Sequence, residues 1–327
     1  MSRRRVTIAG AELACRVAHT RWPESAPLNV NAGEMASYSK ALSGAVDKMR
    51  ADVERRVLAL YGREKGQVAF DGISDDAARL VERLKEKYKK LFDEFSISLA
   101  LKMVREQLRS SSASVKRAVG EIIEKSKSLP VPISEKTEKT VEAMERSYPA
   151  IPKKSVDIRL GKLAIGEIPG KFITPENRQI VEAAVSECVS QIRSIPERYF
   201  TDINGAVMRS ISGDLSEGNL KKSIERVGGV SKRRAQLIAH DQTRKLYQNL
   251  NFREFQRRGI KKFKWKHHAG SREPRLYHEM DWPRGLNNGI FELEKPPVID
   301  KRTGERGYPG QLPYCRCTMA AVVEFED

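Results

Sequence analysis

The chain has 327 residues, 39% of them hydrophobic and 31% charged, and a formal net charge of +17 at pH 7. That length can bury a real core and suits about two domains, with the composition of a helix-rich chain and a wet surface. No apolar run of about 18 residues occurs, so no membrane span is expected, and four scattered cysteines in this length do not make a disulfide framework.

Residues 1–33 read as an irregular segment. The start is basic, but Glu12 and Arg16 interrupt any apolar stretch, so no secretory signal is read there. A reducing compartment during synthesis follows as the default. Trp22-Pro23 and Pro27 break helices, and residues 29–33 read as loop.

Residues 34–150 read as a helical region, a bundle or an extended arm. A first helix spans about Glu34 to Tyr61, with Leu42, Val46, Met49, Val53, Val57 and Leu60 at three-to-four spacing. A second follows the cap Ser74 and the acids Asp75 and Asp76, which suit the positive end of a helix dipole. Its stripe is Leu80, Leu84, Tyr88, Leu91, Phe95 and Leu99, widened by Val81 and Phe92. It is expected to end near Arg109, with Ser110-Ser111-Ser112 as a hinge before a shorter helix carrying Val115, Val119, Ile122 and Ile123. Leu129-Pro130-Val131-Pro132 reads as a linker, and a short helix follows from Ser134 to Arg146.

Residues 151–230 read as a hairpin followed by helices. Val156, Ile158 and Leu160 alternate with polar residues, Gly161-Lys162 turns the chain, and Leu163, Ile165 and Ile168 return it. Thr174-Pro175-Glu176 opens a helix that Pro196 is expected to stop, with Cys188 on its apolar face. Two shorter helices follow, about Asp202 to Ile211 and Ser216 to Val227, the second closed by Gly228-Gly229. The fold class is therefore mainly α, with a small α+β C-terminal domain at residues 231–327.

The positive charge is concentrated. From Lys221 to Lys266 there are fifteen Lys and Arg against the acids Glu225, Asp241 and Glu254. A helix from Ser231 to about Arg257 buries Ala235, Ile238, Ala239, Leu246 and Leu250, and its outer face carries Lys232, Arg233, Arg234, Arg244, Lys245, Arg253 and Arg257. Such a face can lie along phosphates and release their counterions; a merely solvated face gives the same pattern. The Gly228-Gly229 turn between two helices also resembles a helix-hairpin-helix, in which backbone N–H groups approach a phosphate.

Farther along, one ordered set of motifs resembles a known family. It comprises Ala235, Ile238-Ala239 and Asn249, then Gly259-Ile260 with Phe263-Lys264-Trp265. Pro274-Arg275 with His278 follows, then Pro309-Gly310 and Pro313, and last Cys315-Arg316-Cys317. The set resembles the phage head-morphogenesis domain of the phage Mu F-like and SPP1 minor head proteins, over about 90 residues. His240-Asp241-Gln242-Thr243 and Asp281-Trp282 depart from the family pattern. The resemblance implies a non-enzymatic minor head protein in the virion, assembled in the host cytoplasm beside the portal or major capsid protein. It implies non-specific contact with packaged double-stranded DNA, and no membrane or small-molecule partner.

No cofactor is expected, with one alternative. His278, Cys315 and Cys317, with His267 or His268 as fourth ligand, offer the N/S donors that zinc takes tetrahedrally. Against this, alternate residues of a strand face opposite ways, which would separate the sulfurs of Cys-x-Cys. The other reading is a structural cysteine pair with His278 in a buried hydrogen-bond network. A different class of function, a metal-dependent nuclease, would draw on Asp241, His267, His268, Glu273, His278, Glu279 and Asp281. Trp265 and Trp282 read as core or interface anchors. Residues 295–305 read as an exposed loop or hairpin, and Met319–Val323 as a closing strand that pairs with the strand of Trp265.

Overall fold

The computed structural model describes residues 23–63, 70–127, 155–160, 162–211, 217–270 and 275–323. The short helix expected at Ser134–Arg146, the Pro130–Pro132 linker, Cys15 and Glu273 lie outside them. Four long helices carry most of the fold: α1 (Ala32–Arg63), α2 (Phe70–Lys127), α3 (Pro175–Ile211) and α4 (Glu217–Arg257). A hairpin of β1 (Val156–Leu160) and β2 (Leu163–Ile168) precedes α3, with Leu160 opposite Leu163 as the turn signal predicts. The C-terminal module is small and α+β. It holds β3 (Lys262–Lys266), the one-turn helix α5 (Leu276–Glu279), β4 (Ile290–Glu292), β5 (Val298–Asp300), β6 (Glu305–Arg306) and β7 (Thr318–Val322). No helix among the described residues is long and apolar enough to cross a membrane.

Two helix starts follow the sequence, whereas α2 begins at Phe70, ahead of the expected cap Ser74, and the expected cap Ser231 lies inside α4. Asn31 Oδ1 accepts from the N–H groups of Gly33 and Glu34 at the head of α1. Thr174 and Asn177 cap each other reciprocally at the head of α3, each side chain accepting from the other's backbone N–H. The interruptions are where sequence and structure part. Pro196 sits inside α3, because Tyr199, Phe200, Ile203 and Val207 bury the next two turns and offset its cost of about 3 kcal/mol. The Ser110–Ser112 hinge is continuous helix. Ser110 Oγ donates to the Glu34 carboxylate and Ser111 Oγ to Asn251 Oδ1, so tertiary partners engage hydroxyls that would otherwise compete with the backbone.

Gly228-Gly229 likewise lies within α4, and the resemblance to a helix-hairpin-helix fails with it. A Cβ at Gly228 would collide with the side chain of Arg50 on α1, so this glycine permits close helix packing and makes no turn. The boundary drawn at residue 230/231 therefore falls inside a helix.

Two cores form around these helices. The larger joins α1, α2, α3 and α4 with the hairpin, through Leu42, Met49, Leu84, Met103, Ile192, Ile203, Ile238 and their neighbours. On α2 the stripe turns inward at Phe92, while Leu91 is exposed. The second core joins the far end of α2 (Val115, Val119, Ile122) and of α4 (Tyr247, Phe255) to the C-terminal module. At 58 residues α2 is about 87 Å long and reaches both.

The main sheet of the module is antiparallel, in the order β4-β3-β7, and Trp265 of β3 stands opposite Met319 of β7. The segment after Trp22, irregular by sequence, adds to its open edge. Ser25 and Leu28 donate N–H groups to the carbonyls of Ala321 and Met319, and Glu24 pairs with the buried Lys264. The β5-β6 hairpin carries the exposed loop at 301–306.

Candidate functional site

Three pieces of the module converge on one buried centre. His278 comes from α5, Cys315 and Cys317 from the stretch before β7, and Trp265 from β3. The ligand-type atoms of His278, Cys315 and Cys317 all lie within 4.8 Å of one another, and the three residues are at most 4% exposed. Nδ1 of His278 is 3.6 Å from the Cys315 sulfur and 3.8 Å from that of Cys317. The Trp265 ring packs edge-on to the imidazole.

The strand rule that would separate the two sulfurs does not apply, because neither cysteine is in a strand. Tyr314 takes the left-handed conformation (φ 61°), and the Cys315 N–H closes a turn onto the Leu312 carbonyl. Both thiols then face the same imidazole. Two further segments hold this turn to α4. The Tyr314 N–H donates to Asp241 Oδ1, and Gln311 Nε2 donates to Asn249 Oδ1.

His267, at the end of β3, also reaches the centre, its Nδ1 3.6 Å from the Cys317 sulfur. Its backbone N–H donates to Asn287 Oδ1, which fixes that end of the strand. His268 points elsewhere, to the Thr318 hydroxyl at 3.0 Å. The Cys315 thiol is pulled well down in pKa by its contact with Cys317 and then by His278, while its burial opposes this. The Cys317 thiol is pushed up by the same contact and by burial.

Two acids of the nuclease alternative, Asp241 and Asp281, are otherwise engaged. Asp241 accepts from Tyr314, and its pKa is raised by burial. Asp281 Oδ1 accepts from both Asn287 and Asn288, tying down the loop after α5. Among the described residues, the cluster around His278 contains no carboxylate.

The basic residues of α4 are spread around the helix, not along one face. Lys232 pairs with Asp47 at 2.6 Å and Lys245 with Glu187 at 2.8 Å. Arg234 donates to Ser194 and Gln191, and Arg253 to Gln256. Arg244 is half-buried, and burial together with the neighbouring Arg316 lowers its pKa. Arg233 is exposed.

Arg244 and Arg316 face one small cleft with His268, and positive potential from this pair adds to the burial that lowers the pKa of His240. Arg316 went unremarked as a basic contact in the sequence because it sits 72 residues from Arg244. A larger cleft of about 770 Å³ between α3, α4 and the 310–314 loop carries Arg198, Arg233, Arg234 and Lys245 beside Glu187 and Asp202.

No protein-family model matches the chain, and no solved structure matches it. A protein of Haemophilus influenzae (strain ATCC 51907 / DSM 11121 / KW20 / Rd) described as uncharacterized is 28% identical over 152 residues, 46% of this chain and 31% of that protein. The matched stretch is thus under a third of that relative's length.

Proposed function

We propose that this protein is a non-enzymatic minor structural component of a tailed-phage head. It sits against the portal or the inner capsid surface and touches packaged double-stranded DNA without reading its sequence. The observation that carries this reading is the convergence of the motif segments that resemble the phage Mu F-like domain. Asn249 of α4 meets the loop after Pro309-Gly310, and Trp265, His278, Cys315 and Cys317 share one buried centre. Motifs scattered over some 90 residues by chance have no reason to close on one another.

The charge supports the second half of the reading. A net +17 favours a polyanionic neighbour, and contacts to phosphate position a protein without reading bases. Arg233 is exposed, and Arg244 and Arg316 share a cleft. Lys232 and Lys245 must exchange an acidic partner for a phosphate, so they contribute less. The long helices α1 to α3 supply the docking surface for portal or capsid, and the finished protein resides in the virion after assembly in the host cytoplasm.

Co-expression with the portal protein and with the major capsid protein of the same genome tests this. We expect a complex with one of them that survives nuclease treatment and gel filtration. Elution as a free protein from both would contradict the reading.

A further inference from the structure

We propose that His267, His278, Cys315 and Cys317 bind one zinc ion in a tetrahedral structural site that pins β3, α5 and the entry of β7 together. The site is independent of the reading as a head protein.

The distances have the right scale. Zinc bonds of about 2.3 Å to sulfur and about 2.0–2.1 Å to nitrogen give sulfur-to-nitrogen tetrahedral edges of about 3.5–3.6 Å. Three of the six edges are 3.6 Å (Cys315–His278), 3.8 Å (Cys317–His278) and 3.6 Å (Cys317–His267). Two imidazoles and two thiolates in a tetrahedron select zinc over the harder cations.

The protonation of His278 leaves its Nδ1 facing both sulfurs. His278 Nε2 lies 2.8 Å from the Ile299 carbonyl, which can only accept, so Nε2 carries a proton. In the neutral ring Nδ1 then offers a single lone pair, and two buried thiols approach it. One S–H can be satisfied there, and the Cys317 sulfur also lies 3.6 Å from His267 Nδ1. A metal ion takes the lone pair and both sulfurs together, and an Nε2–H donated to a backbone carbonyl is the usual support for a metal-bound histidine.

N–H groups also surround the sulfurs. The Trp265 indole N–H is buried without an oxygen or nitrogen partner and lies against Cys317. The backbone N–H of His268 approaches the same sulfur, and that of Cys317 approaches Cys315. Such donors strengthen when the thiols become metal-bound thiolates. Binding releases both thiol protons to solvent and leaves the metal's oxidation state unchanged, so no redox partner is needed. His267, half-buried at the strand end and 3.6 Å from Cys317, stands outside the group of donor atoms within 4.8 Å of one another and moves inward to take the fourth position, which makes the site structural and leaves no place for a reactive water.

The test uses the untagged full-length protein, purified without chelators from zinc-supplemented cells. Elemental analysis is expected to find about one zinc ion per chain. Exchange for Co2+ is expected to give tetrahedral cobalt bands and thiolate-to-cobalt charge transfer. Cys188→Ser, which alters the buried cysteine outside the cluster, should keep both signals. Cys315→Ser and Cys317→Ser should lose the charge-transfer band in part and the zinc in purification.

His267→Ala should weaken zinc binding by more than the roughly 10–100-fold that loss of a merely supporting group causes. A smaller effect removes His267 as the fourth ligand. Wild-type protein free of zinc and without the cobalt band, or recovered with a Cys315–Cys317 disulfide, would overturn the site without any variant having to fold.

Discussion

In the helical bundle, the buried apolar positions of α1 to α4 recur every three or four residues, and buried polar residues such as Asp52, Gln107, Thr243 and Asn251 are scattered among them. In the C-terminal module, the buried set mixes Trp265, Phe263 and Met319 with Lys264, His278, Thr318 and two thiols. The bundle's apolar stripes draw most of their stabilisation from area, because any side chain of the right size and polarity serves at most of those positions. The module has few residues and short strands, so each buried polar group must find a particular partner: Lys264 finds Glu24, and His278 finds Ile299. Its structure is therefore concentrated in a few contacts and should be more sensitive to single changes.

Trp265→Ala gives the largest expected effect, a loss of about 3–5 kcal/mol, because the ring is fully buried between β7 and His278. Trp282, 54% exposed in the same module, should lose less than about 1 kcal/mol as Trp282→Ala. Denaturant unfolding of both variants checks the pair. Equal losses would mean that the module is not organised around the Trp265 centre.

A smaller effect is expected from the main polar junction of the bundle. Asp52 of α1 is buried, which opposes its charge. Hydrogen bonds from Lys87, Arg56, Arg55 and Tyr88 overcome that and hold its carboxyl well below the usual range. A carboxylate depressed in the folded state contributes stability above its unfolded value of about 3.9, and this is lost as pH falls through the lower folded value. Asp52→Asn should thus cost about 1–3 kcal/mol at pH 7. The gap to wild type should narrow in unfolding experiments at progressively lower pH. A gap of constant size would remove the charge from the explanation.

The two regions also differed in how far the sequence disclosed them. Periodicity located α1 to α4 and the β1-β2 hairpin, because burying one face is a local property of spacing. It misjudged the interruptions. Pro196, Gly228-Gly229 and Ser110–Ser112 are breakers only until a neighbour is known: a packed next turn, the side chain of Arg50, or the carboxylate of Glu34.

In the module the Trp265 strand, the closing strand and the cysteines at its entry were legible from residue types. The meeting of His267, His278, Cys315 and Cys317 was not fixed by spacing, because it depends on the left-handed turn at Tyr314. The edge contact made by Ser25 and Leu28 carried no local signal, since both pair with residues almost 300 positions away. The basic residues of α4 were correctly placed on a helix, but their acidic partners Asp47 and Glu187 lie on other helices and could not be paired from sequence.

The functional claim is that this charged surface holds DNA and does no chemistry on it. Incubating the purified protein with plasmid DNA and Mg2+, Mn2+ or Zn2+ over a range of salt measures both halves at once. We expect intact, retarded DNA of any sequence, with the logarithm of the binding constant falling linearly with that of salt by about 0.9 per phosphate contact. Cleaved DNA, or binding equally tight at low and high salt, would contradict it.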